Sequence, residues 1–177
     1  QILPITNPTL GIASQVNVTC SGLSNGSVTL AGNGGSGGYT YSSNATTGFA
    51  INPTFTGLAA GTYTYYVRDS KGCVGSTSVT ITQPVTLDAT VTEAPFTCNP
   101  ANAKVAGTVT INATAGTAPY QYSFNGSATY TSNNVLTLND NGTDQSYTYS
   151  VRDAAGCTVS GNGTLLRLNS PTDLTFV

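Results

Sequence analysis

Tyr63-Thr64-Tyr65-Tyr66-Val67-Arg68-Asp69-Ser70-Lys71-Gly72-Cys73 recurs 84 residues later as Tyr147-Thr148-Tyr149-Ser150-Val151-Arg152-Asp153-Ala154-Ala155-Gly156-Cys157. In the first copy Tyr63, Tyr65 and Val67 alternate with Thr64, Tyr66 and Arg68. In the second, Tyr147, Tyr149 and Val151 alternate with Thr148, Ser150 and Arg152. A period of two over residues rich in Tyr, Thr and Val reads as a half-buried β-strand. The first set of each copy is expected to point into a core and the second to face outward. A slip of one residue would invert every assignment. Each strand ends in Asp-x-x-Gly, the pattern of a type I turn whose carboxylate caps backbone N–H groups.

Working outward, the repetition covers most of the chain. Gly26-Ser27-Val28-Thr29-Leu30 matches Gly107-Thr108-Val109-Thr110-Ile111, and Tyr39-Thr40-Tyr41-Ser42 matches Tyr120-Gln121-Tyr122-Ser123, both at an offset of 81. Cys20 matches Cys98 at 78. The offset grows along the chain, as insertions in loops produce. Ile81-Thr82-Gln83-Pro84 closes the first copy and Leu168-Asn169-Ser170-Pro171 the second. The expected organisation is the tail of a preceding unit in 1–8, complete units in 9–84 and 85–171, and the start of a following unit in 172–177. Short alternating runs separated by breakers such as Gly32-Asn33-Gly34-Gly35-Ser36-Gly37-Gly38, with no helical period, make each unit all-β. About seven short strands per unit predict two tandem Ig-like β-sandwiches, with Leu58-Ala59-Ala60-Gly61-Thr62-Tyr63 as the corner into a late strand and Tyr63 as a tyrosine corner.

Composition narrows the function. Of 177 residues only 7% are charged, against about 25% in an ordinary soluble domain. Thr, Val and ten Tyr separate the chain from disordered sequences, which lack β-branched and aromatic residues. Without His there is no His triad, His base or His metal ligand. Five basic residues and a net charge of −2 carry no electrostatic footprint for nucleic acid or an anionic membrane, and no apolar run reaches the length of a membrane-spanning helix. The opening Gln1-Ile2-Leu3-Pro4 does not read as a signal peptide, and a start on Gln1 reads as a processed piece of a longer chain.

Four cysteines in this setting point to an oxidising, extracellular compartment. They allow three pairings. One opens and one closes each unit, so the repeat argues for Cys20–Cys73 and Cys98–Cys157. Each bridge would be worth roughly 4 kcal/mol in the chain-entropy account.

The order Cys, Gly-Ser-Val-Thr-Leu, Gly-Gly-Tyr-Thr-Tyr-Ser, Gly-Leu-Ala-Ala-Gly-Thr-Tyr-Thr, Val-Arg-Asp-Ser-Lys-Gly-Cys and Val-Thr-Ile-Thr-Gln-Pro resembles the SprB repeat. That repeat occurs in very large surface adhesins of gliding Bacteroidota exported by the type IX secretion system. The resemblance covers nearly all of 9–84 and, more loosely, 85–171. In the second unit, Asn139–Ser146 lengthens the corner and Asn169-Ser170-Pro171 stands for Thr-Gln-Pro. What it implies is a structural and adhesive segment of a cell-surface or secreted filament. Its partners would be neighbouring repeats of the same chain and polysaccharide or other surface ligands, with neither nucleic acid nor membrane insertion.

Chemistry-bearing residues are few. The seven carboxylates are scattered over both units, no general base faces the many Ser and Thr, and no cofactor is expected. The recurring Asp69 and Asp153 read as turn caps rather than metal ligands. Asn139-Asp140-Asn141-Gly142-Thr143-Asp144 gathers oxygen ligands around a turn, with Asp140, Asn141 and Asp144 as a calcium alternative. The loop lacks the spaced acidic ladder and terminal Glu of an EF-hand, so a long polar hairpin is expected. A carbohydrate-binding module is the competing function; it needs an exposed aromatic platform, for which Tyr66 and Tyr130 are the candidates.

Overall fold

The computed structural model describes residues 6–168, and the chain divides into two units, Gln1–Pro84 and Val85–Val177. The expected closing Asn169-Ser170-Pro171 and the following segment 172–177 lie outside the described residues, as do 1–5 of the expected leading tail.

Unit 1 contains β1 (Pro8–Val16), β2 (Gly26–Gly34), β3 (Thr40–Ser42), β4 (Thr54–Leu58), β5 (Gly61–Arg68) and β6 (Val74–Ile81). Pro8 thus opens the first strand of this unit. One antiparallel sheet has the order β1-β2-β4 and the other β3-β5-β6. Unit 2 contains β7 (Ala89–Ala94), β8 (Thr97–Cys98), β9 (Lys104–Val105), β10 (Gly107–Ala113), β11 (Gln121–Phe124), β12 (Val135–Leu138), β13 (Gln145–Arg152) and β14 (Thr158–Leu165). Its sheets repeat the pattern as β7-β10-β12 and β11-β13-β14, with β8 and β9 as an added hairpin. First, second and late strands on one sheet, with third and last two on the other, is the ABE/CFG partition of an Ig-like sandwich. Six strands per unit form these sheets rather than seven. The expected extra strand is reduced to a single bridge, Tyr41 to Ala50 in unit 1 and Tyr122 to Thr131 in unit 2.

The alternation works as read. Tyr65 and Val67 are buried, with Tyr63 packed at the edge of the same core; Tyr147 and Val151 are buried, with Tyr149 half-buried. Thr64 and Thr148 are exposed. In unit 1 the facing sheet supplies Leu10, Val28 and Leu30, while Tyr41, Tyr65, Val67, Val79 and Ile81 come from the β3-β5-β6 sheet. In unit 2 Val109 and Ile111 meet Tyr147 and Val151. On the exposed face, hydroxyls pair across strands, Thr62 with Thr80 at 3.1 Å and Thr64 with Ser78 at 3.4 Å. These Thr rows serve the ladder they sit on.

The corners differ between units. Tyr63 donates its hydroxyl to the Ala59 carbonyl at 3.0 Å, a tyrosine corner as expected. Its counterpart Tyr147 instead donates to the Glu93 carboxylate on β7. Glycines opposite the second hairpin make room for the rings: a Cβ on Gly163 would fall 2.2 Å from the Tyr147 hydroxyl, and one on Gly161 would fall 2.5 Å from that of Tyr149.

Tyr65 is 1% exposed, stacks obliquely on Phe55 at 4.4 Å, and its hydroxyl has no hydrogen-bond partner. A buried unpartnered hydroxyl opposes folding, whereas the ring contributes strongly to it. Tyr65→Ala should therefore cost about 3–5 kcal/mol, while Tyr65→Phe should leave stability unchanged or raise it. Tyr66→Ala should cost under about 1 kcal/mol. Denaturant melts of the three variants check the ordering.

Candidate functional site

The Asp-x-x-Gly-Cys turn is a densely hydrogen-bonded polar feature of each unit. Asp69 is 5% exposed. Its Oδ1 accepts from the backbone N–H of Lys71 at 3.0 Å and of Cys73 at 2.9 Å, and its Oδ2 from the Ser36 N–H at 2.9 Å. Asp153 repeats the arrangement with Ala155 at 3.0 Å, Cys157 at 2.9 Å and Thr117 at 3.0 Å. Both carboxylates are spent on backbone, so each is a structural clamp between a hairpin turn and the loop that joins the two sheets. Donation from the Ser36 N–H, with lesser help from Cys73, Lys71 and Gly72, holds the Asp69 carboxyl below its ordinary value.

The Asn139–Asp144 loop is likewise committed internally. Asp140 Oδ2 lies 2.9 Å from Lys104 Nζ, and Asp140 Oδ1 accepts from the Gly142 N–H at 2.9 Å. The Lys104 ammonium is the main reason this carboxyl titrates below the usual range. Asn141 Oδ1 accepts from the Thr143 N–H at 3.0 Å and from Gln145, and Asp144 Oδ1 from the Arg167 N–H at 3.0 Å. A cation already faces the carboxylate a calcium ion would need first. No group of three His, Cys, Asp or Glu side chains among the described residues could hold a metal ion.

The expected bridges Cys20–Cys73 and Cys98–Cys157 are not formed. Cys73 is a half-buried free thiol and Cys98 an exposed one, whereas Cys20 and Cys157 are disulfide-bonded. The obstacle is the position of each cysteine along the strands. Cys73 immediately precedes β6, beside the start of β1: a Cβ on Gly75 would fall 2.0 Å from the Pro8 carbonyl oxygen. Cys20 sits at the other end of β6, where Val18 N–H donates to Thr82 O at 3.0 Å and Gly22 N–H to Gln83 Oε1 at 3.0 Å. Seven residue steps of β6 span about 23 Å, against the roughly 4.4–6.8 Å between Cα atoms that a disulfide accepts. Unit 2 repeats this. Cys157 immediately precedes β14, while Phe96, two residues before Cys98, packs beside Gly107 and Leu165 at the far end. Each unit thus has a cysteine at its leading pole, where its first strand begins, and another at its trailing pole, where its last strand ends.

A groove that could receive a small molecule lies on the outer face of the β11-β13-β14 sheet. Its volume is about 480 Å³, and it is lined by residues including Ser123, Ser127, Tyr130, Thr148, Ser160 and Asn162. Its floor is the row Ser123–Ser150–Ser160, in register across three strands. Tyr130 shares a 2.8 Å hydrogen bond with Ser150, which accepts from the Ser160 hydroxyl at 2.9 Å. The Arg152 guanidinium lies 4.3 Å over the Tyr130 ring and donates to Gln121 at 2.8 Å, fixing the ring as one wall. No carboxylate or amine lines this groove. What the groove presents is hydroxyl groups, one side-chain amide and an aromatic ring.

Of the two platform candidates, Tyr130 lines this groove and Tyr66 lies in the other unit; the serine row has no signature in the sequence of unit 2 taken alone. The available signal was the repeat itself, because Tyr66 of unit 1 stands where unit 2 has Ser150, between Ser42 and Ser76. Replacing a phenol ring by a hydroxymethyl group opens the row. Phe49 under Arg68 at 4.3 Å stands for Tyr130 under Arg152.

The SprB repeat model matches residues 12–47 and 90–129, one stretch in each unit. No curated protein matches the chain. Among solved structures, the fibronectin(III)-like modules of Clostridium thermocellum CbhA align over 89% of this chain and 93% of theirs, at 13% identity and a TM-score of 0.30.

Two titrations follow from these environments. Burial, and then the bond to Glu93, push the Tyr147 hydroxyl up to about 12. A proton held more tightly in the folded state contributes stability that is complete below the ordinary tyrosine value and lost as pH rises through the folded one. Stability should fall between about pH 10 and 12, and ultraviolet titration of Tyr147→Phe should lack the latest phenol to ionise. The Asp69 clamp has the opposite sign: its contribution is present above the ordinary carboxyl range and disappears as pH falls through the lowered value. Asp69→Asn should lower the melting temperature at pH 7 and flatten its acid limb.

Proposed function

We propose that the chain, each unit of which carries a match to the SprB repeat, is a structural and adhesive segment of a long repetitive cell-surface filament, serving attachment or gliding. The supporting observation is the junction between the units. Thr82 and Gln83 are tied to unit 1 through Val18, Asn17 and Gly22. Leu87 is buried in unit 2, and the Asp88 carbonyl accepts from the Thr114 N–H at 2.9 Å. Residues 84–86 join the two stretches, and a connection this short is what direct tandem repetition of one unit produces. Low charge and exposed Thr, Ser and Asn suit reversible, hydrogen-bonding contact with a hydrated surface.

The hydroxyl-lined groove beside Tyr130 favours a second reading, a non-catalytic carbohydrate-binding module in which unit 2 does the binding. Antibodies to the chain should label intact cells of the source organism, and mild protease treatment should remove the label; labelling only after lysis would overturn the surface assignment. On a glycan array the chain is expected to retain no defined oligosaccharide. Selective retention that is lost in Ser150→Tyr, which puts the unit 1 residue into the floor of the groove, would transfer the function to the second reading.

A further inference from the structure

Each unit places one cysteine at its leading pole (Cys73, Cys157) and its partner in the repeat at the trailing pole (Cys20, Cys98). An in-unit bridge would have to span the length of the sandwich. The trailing-pole Cys20 and the leading-pole Cys157 are disulfide-bonded, while their repeat equivalents Cys98 and Cys73 are free. The free pair therefore comprises the leading pole of the first unit and the trailing pole of the second. The two leading-pole cysteines share their local setting: both follow an Asp-x-x-Gly turn and donate N–H to its carboxylate at 2.9 Å.

We propose that Cys98 and Cys73 are the two halves of a head-to-tail linkage, in which Cys98 of one chain forms a disulfide with Cys73 of a second copy. Trailing pole to leading pole is a heterologous contact, and a heterologous contact that does not close propagates as an open filament. The inference rests on the tandem-array reading for its biological setting, where the partner thiol would belong to the adjoining repeat. The oxidant is a small-molecule disulfide such as oxidised glutathione. The Cys98 thiolate attacks one glutathione sulfur and expels a glutathione thiolate. Cys73 of the second copy then attacks the Cys98 sulfur of the mixed disulfide and expels the other. One protein disulfide forms, one glutathione disulfide is reduced to two thiols, and the two cysteine protons end on those thiols. Exposure of Cys98 admits the first step.

The test uses Cys73→Ser and Cys98→Ser chains, each alone and mixed in equal amounts. The samples are oxidised with glutathione disulfide, run on a non-reducing gel and mapped by mass spectrometry. The wild-type chain should give a ladder, and wild type whose free thiols were first capped with iodoacetamide should give none. Each variant alone should remain monomeric, and the mixture should give a dimer containing a Cys98–Cys73 peptide. A mixture that dimerises no more than either variant alone, or peptides joining Cys98 to Cys98 or Cys73 to Cys73, would overturn the proposal. Either result would leave the surface assignment to be judged separately by the labelling experiment.

Discussion

A carboxylate buried among apolar strands is tolerated only when its oxygens are fully hydrogen-bonded. Asp69 and Asp153 meet that condition with three backbone N–H groups each, two from their own turn and one from the loop arriving from the other sheet. One side chain thereby sets the register of the last hairpin and ties it to the crossing between layers. The same contact presents the following cysteine at the leading pole. With 7% charged residues, the chain has few other ionic contacts to do this work.

Around that clamp, stability comes from two small cores of β-branched and tyrosine side chains. Val28 and Val67 in unit 1, and Val109 and Val151 in unit 2, are fully buried between the sheets. Tyrosine serves as the large core residue here, and its hydroxyl needs a partner or exacts a penalty. Tyr63 finds a carbonyl, Tyr147 a carboxylate and Tyr65 nothing. Three tyrosines at two positions of one motif thus meet three different electrostatic fates.

The two units show how a repeat diverges without losing its fold. Substituting Ser150 for Tyr66 leaves the strands in register and changes only what fills the outer face of one sheet. A groove results, walled by Tyr130 and floored by serine hydroxyls. The longer corner of unit 2 carries its own ion pair, Lys104 with Asp140.

Periodicity and repetition by themselves determined the all-β class, the two units and which face of the paired strands is buried. Those are local properties: a period of two assigns faces whatever the strand's neighbours are. Tertiary structure decided where the cysteines lie. From Cys20 the chain crosses the sandwich along β2, β3, the return through Ala50, β4 and β5 before reaching Cys73. An odd number of passes ends at the opposite pole. The deciding pass is the segment after β3, which makes one bridge and has no alternating pattern to reveal it, so the spacing that brackets a unit in sequence does not bring its cysteines together in space. The groove, too, had to wait for the fold, since Ser123, Ser150 and Ser160 become neighbours only through strand register.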